Sequence, residues 1–140
     1  MTMLERVNKL EQAILDSGLP APDLPVWHHF APGLYARQML IRAGIELTGA
    51  VHRTEHLCIV TGVIEVTDGE TAQLIAGQQV IMTSKPGVKR AGRAITDTYF
   101  TTVHATEERD LDKLVEELTF SKSSELLGGP DNKQTLRLAK

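Results

Sequence analysis

The period of the apolar positions along this chain changes twice. Between residues 2 and 17, Met3, Val7, Leu10 and Ile14 recur at the 4-3-4 spacing of a helix face. Thr2 and Glu5 have the spacing of a capping box, Glu5 and Lys9 stand at i,i+4 in the favourable order, and Gly18 supplies a stop. A helix of this length is marginal in water on its own, so its apolar face must pack on the rest of the subunit or on a neighbour. From residue 27 the period shortens to two. LYARQMLI alternates, with Tyr35, Arg37, Met39 and Ile41 on one face. HLCIV and VIEV follow, broken by Gly62, then TAQLI after a tight turn at Asp68-Gly69, and QVIMT after a break at Gly77. Lys85-Pro86-Gly87 fits a type II turn, and DTYFTTVH is the last strong strand. The helical period returns in DLDKLVEEL, with Leu111, Leu114, Val115 and Leu118 on one stripe.

Many short strands separated by turn signals, with no helical segment between them, predict an all-β sandwich or barrel. The expected organisation is an N-terminal amphipathic helix at 1–18, a stiff proline-rich linker at 19–26, a β-barrel at 27–105, and a short helix with a polar tail at 106–140. That tail is expected to be loose or to order on a neighbour. The WHHF run at 27–30 reads as an aromatic anchor fastening the linker to the barrel.

Composition changes this picture little. A length of 140 residues fits one domain with one core, and 41% apolar with 24% charged residues is ordinary for a globular protein. A net charge of −3 gives no global attraction to duplex nucleic acid, no apolar run approaches a membrane span, and no secretory leader is apparent. The single cysteine, Cys58, lies in the apolar run HLCIV and reads as a small core residue. The G-x-S-x-G elbow, the P-loop and H-E-x-x-H are all missing.

The stretch from Gly44 to Gly62 resembles the first signature of the cupins, G-x5-H-x-H-x3,4-E-x6-G. Laid on Gly44, that signature puts its first His on Ala50, its second on His52 and its Glu on His56, with Gly62 one residue early. A register started from Glu55 keeps the spacing to Gly62 but leaves Gly49 and Val51 in the two His positions. The second signature matches loosely at Gly77 and Pro86-Gly87, and its metal-binding His falls on Arg90. The resemblance implies a double-stranded β-helix, or jelly-roll, barrel of cupin type with an N-terminal and a short C-terminal helix. The phrases AVHRTEHLCIVTG and SKPGVKRAGRAITDTYFTTVHATEERDLDKL are also similar to small cupin-like proteins of bacteriophages, which implies a setting in the host bacterial cytoplasm or the virion.

The candidate chemistry centres on histidine. His52 and His56 differ by an even number, so a continuous strand would put them on one face, and His104 near the end of a later strand could join them. A permanent charge on Arg90 would argue against a metal there. Lys89 and Arg90, in the basic group around the Pro-Gly turn, could hold an anion together with His52 or His56. Three readings stay open. One is a non-catalytic, homo-oligomeric scaffold that contacts other phage structural proteins. Another is a binding module for a small anion, using His52, His56, Lys89 and Arg90. The third is a metal-dependent enzyme, an isomerase or dioxygenase, with a divalent ion on His52, His56 and His104.

Overall fold

The computed structural model describes residues 1–18, 24–125 and 135–137. The first helix, α1 (Met3–Asp16), begins at Thr2 with the full capping box: the Glu5 backbone N–H donates to Thr2 Oγ1, and the Glu5 carboxylate accepts from the Thr2 N–H. Ser17 caps its C-terminus, and Gly18 follows at φ +68°. Val7 and Ile14 are buried. Glu11 docks the helix on its own barrel, accepting from Thr48 Oγ1 at 2.6 Å and from Lys89 Nζ at 2.8 Å. The heptad face is therefore used at least in part within the subunit.

Among the described residues, eight strands form one antiparallel sheet: β1 (Val26–Ala31), β2 (Leu34–Ile41), β3 (Ile45–Thr48), β4 (His56–Thr67), β5 (Ala72–Ser84), β6 (Ala91–Ala94), β7 (Thr98–Ala105) and β8 (Thr135–Arg137). The long β4–β5 hairpin organises it. The first half of β4 pairs with β7, its second half pairs with β6, and β5 runs along its other side throughout. One sheet thus curls into two walls, β1-β2-β7-β4-β5 on one side and β8-β3-β6 with the end of β4 on the other. Their inner faces enclose Leu24, Met39, Ile41, Val60, Ile64 and Val66.

Gly62 does not end a strand as its sequence context suggests; it is the bend inside β4. Its φ is +132°, and a Cβ there would stand 2.6 Å from Thr98 Oγ1 and 2.8 Å from the Asp97 carbonyl. Gly77 likewise lies within β5, at the register shift opposite Gly62. The 68–71 turn is closed by the Asp68 carboxylate, which accepts from the Glu70 and Thr71 N–H groups. Gly87, at φ +81°, fits the expected type II turn.

Two expectations about packing need correction. Trp27 is 42% exposed, on the outer face of β1, so it does not anchor the linker; Leu24, fully buried, does. The linker residues 19–23 lie outside the described residues. Within the C-terminal tail, 126–134 and 138–140 also lie outside them, but β8 pairs with β3 of the same chain. The second helix, α2 (Leu111–Leu118), starts at Asp110, whose carboxylate accepts from the Lys113 N–H, and buries Leu114, Val115 and Leu118 over one end of the barrel. No helix among the described residues is long and apolar enough to cross a membrane.

The Gly62 geometry predicts that Gly62→Ala lowers stability by about 3 kcal/mol, because a Cβ must displace backbone in a left-handed conformation. Chemical denaturation of the variant against the native chain checks this, and an unchanged midpoint would contradict the bend.

Candidate functional site

Two rows of inward-pointing residues, one above the other, form the site. The register of β1, β2, β7, β4 and β5 aligns His28, Arg37, Thr102, Cys58 and Met82 across the sheet. The next row carries Phe30, Tyr35 and His104, with His56 at the start of β4 and Ser84 opposite it. Alternation does the rest: a residue two places along each strand returns to the same face.

His52 arrives differently. It is not in the same strand as His56 but in the preceding loop, where it bridges to Thr119 just beyond α2. Its neighbour Arg53 donates from its backbone N–H to the Leu118 carbonyl and from Nε to the Thr119 carbonyl. The Phe120 N–H donates to Val51, and the Gly87 N–H donates to the His52 carbonyl at 2.9 Å. The cap after α2 and the Pro86-Gly87 turn together fix the loop that carries His52.

The three imidazoles meet. Ring centroids lie 4.4 Å apart for His52 and His56, 4.5 Å for His56 and His104, and 5.6 Å for His52 and His104. Each ring offers a nitrogen within 4.8 Å of the others. His56 Nδ1 lies 3.0 Å from the Thr54 carbonyl and must donate to it, which leaves Nε2 with its lone pair free. His104 Nε2 lies 2.9 Å from Thr102 Oγ1, while its Nδ1 is buried with no hydrogen-bond partner. A buried, unsatisfied nitrogen is costly, and a metal ligand is one way to satisfy it.

Electrostatics keep the cluster neutral. Burial first, then repulsion from His56, His104, Arg37 and Arg90, pushes His52 down to about 3. Burial, then His56 and Arg37, pushes His104 down to about 3 as well. His56 is lowered chiefly by burial, with Arg90 adding to it against an opposing hydrogen bond to Thr54. Neutral imidazole is the ligating form.

Beneath the cluster lies a cavity of about 90 Å³, walled by apolar residues that include Met39, Ile64 and Phe100 and by Cys58, Arg37 and Arg90. Arg90 is held at its wall, donating to the Thr67 carbonyl at 2.8 Å and to Ser84 Oγ at 3.1 Å. Cys58 is buried, and desolvation raises its thiol to about 11, which makes it an inert wall.

The sequence candidates therefore separate. His52, His56, His104 and Arg90 converge. Lys89 is outside the cavity lining and is committed to Glu11 and Asn8 of α1. Glu55 is exposed. Arg37 was missed, although its signal was present: it is the one charged residue on the inward face of LYARQMLI.

No family model matches the sequence, and a search of curated proteins gives no match. Solved structures do resemble the fold. Salicylate 1,2-dioxygenase from Pseudoaminobacter salicylatoxidans, with gentisate adducts, superposes with a TM-score of 0.55 at 14% identity, over 82% of this chain and 34% of that chain. A second structure of a salicylate 1,2-dioxygenase from this source gives 0.56 at 14% identity, over 81% and 35%. The chain thus spans about a third of the length of the dioxygenase chains it matches. The fold is that of the cupins. Within this cupin-like barrel Ala50 lines the cavity, at the position where the first signature has its first His. His52 keeps the second His position, and His56 stands where the signature has its Glu. Arg90 fills that of the second-signature His, and His104 comes from outside both signatures.

The depressed histidines make a pH prediction. Above about 6.5 both folded and unfolded chains hold these rings neutral. As pH falls from there toward 3, the unfolded chain takes up protons that the folded one refuses, so stability is lost on acidification. Each ring contributes up to ~1.4 kcal/mol per pH unit over that window. Calorimetry at pH 7 and pH 5 should show a lower Tm at pH 5, with a smaller drop in His52→Gln.

Proposed function

We propose that this cupin is a metal-dependent enzyme acting on a small carboxylate, with a divalent ion held by His52, His56 and His104. The observation that carries the reading is the meeting of three neutral imidazoles, one with a buried and unpartnered Nδ1. The donor set suits iron, zinc or nickel. When bound, such an ion supplies a Lewis acid and, in the case of iron, a redox couple.

The chain's own residues define the rest. Thr102 Oγ1 and the Thr54 carbonyl orient two of the rings through their second nitrogens. Arg37 and Arg90 speak to the ligand. A dication beside two guanidinium groups leaves the cavity strongly positive, and an anion offsets that charge. Arg90's charge, an objection to a metal on sequence grounds, thus becomes a requirement for an anionic substrate. Met39, Ile64 and Phe100 offer an apolar surface to the body of that substrate, and α2 limits water at the opposite end. The named substrate of the dioxygenase neighbours is an aromatic carboxylate, so oxygen-dependent attack on such an acid is the first activity to assay.

Protein purified without a His tag should contain close to one metal ion per chain by plasma mass spectrometry. His104→Ala should fall below about a tenth of that while keeping the native circular dichroism. Metal-free native protein that takes up no iron, zinc or nickel on addition would overturn the reading. With metal bound, Arg37→Ala and Arg90→Ala should each weaken salicylate binding at least tenfold by calorimetry, about 1.4 kcal/mol or more.

A further inference from the structure

The outer face of the wall that carries the histidines has an unusual composition. Along one row of register partners stand Trp27, Gln38, Thr101, Ile59 and Ile81. The next row is His29, Ala36, Val103, Leu57 and Thr83, and on the other side Leu40, Tyr99 and Thr61 stand in line. No Asp, Glu, Lys or Arg occurs in any of these three rows, in a chain whose residues are 24% charged. Trp27, Leu57, Tyr99 and Ile81 are 42%, 45%, 41% and 60% exposed. Trp27 and Tyr99 lie side by side, with ring centroids 6.2 Å apart. Isolated exposed apolar residues need no explanation, but a continuous uncharged face across five strands does.

We propose that this face is the interface with a second copy of the chain, packed sheet on sheet about a two-fold axis. Two features of the face favour a copy of itself over an unlike partner. A two-fold contact sets the patch against its own copy, so charge of a single sign on it would meet like charge; a face without charge avoids that penalty. A charged partner, in turn, would find no complement here. The size also fits. Five strands at ~4.8 Å and three rows at ~6.8 Å cover on the order of 500 Å² in plane, and side-chain relief brings this toward the ~800 Å² per partner of a standard interface. The outward β-branched residues Ile59, Ile81, Thr83, Thr101 and Val103 can interdigitate at the ~10 Å spacing of aligned sheets. The inference does not depend on the metal, because it uses the opposite face of the strands.

Light scattering of the full chain should give about twice the 15.4 kDa of one chain at micromolar concentration. Leu57→Glu with Ile81→Glu, both on exposed positions, should halve that mass and keep the native circular dichroism. Trp27→Arg, on the opposite edge of the face, should do the same and guards against a folding defect in the double variant. A native chain that is a monomer, or folded variants that keep the dimer mass, would overturn the proposal.

Discussion

Three imidazoles and two guanidinium groups share the interior of one small barrel, and most of the structure follows from keeping them there. Buried titratable groups must be neutral, paired or bound to something. The histidines take the first course, with His52 and His104 pushed down to about 3. Arg90 takes the second, through the Thr67 carbonyl and Ser84 Oγ. The buried Nδ1 of His104 has no hydrogen-bond partner among the described residues. Left so, it costs stability, and the proposed metal would relieve that cost.

That arrangement needs a wall that is polar inside and apolar outside at one end, the reverse of an ordinary half-exposed sheet. Strand alternation supplies both at once. Each strand that sends Arg37, Thr102, His104 or His56 inward sends Gln38, Thr101, Val103 or Leu57 outward. The curl that closes the barrel depends on Gly62, where β4 leaves β7 and joins β6, close against Thr98. α2 then covers the histidine end, and the residues after it fix the loop that bears His52. Site, closure and outer face are one construction.

The sequence showed much of this where the signal was local. The Thr2–Glu5 capping box, the span and inward face of LYARQMLI, and the Leu114–Leu118 stripe are all read from spacing alone. His52, His56 and His104 were recognisable as a possible set, though for a partly different reason: His52 reaches the others from a loop rather than along a shared strand. What stayed hidden depends on distant partners. Lys89 looks like an anion ligand until Glu11, far along the chain, is seen to hold it. Gly62 and Gly77 look like breaks because local pattern cannot distinguish a bend opposite a bulge from two strand ends. Trp27 looks like a core anchor because an aromatic residue on an outward face gives the same local signal as one pointing inward.

The most direct test of the central claim is X-ray absorption at the metal edge of protein loaded with one equivalent of iron(II) or zinc. Three coordinating histidines predict strong outer-shell scattering from about three imidazole rings, which is lost in His104→Ala because that variant no longer holds the metal. A spectrum with only oxygen and nitrogen neighbours and no imidazole scattering, or one unchanged by that substitution, would contradict the account.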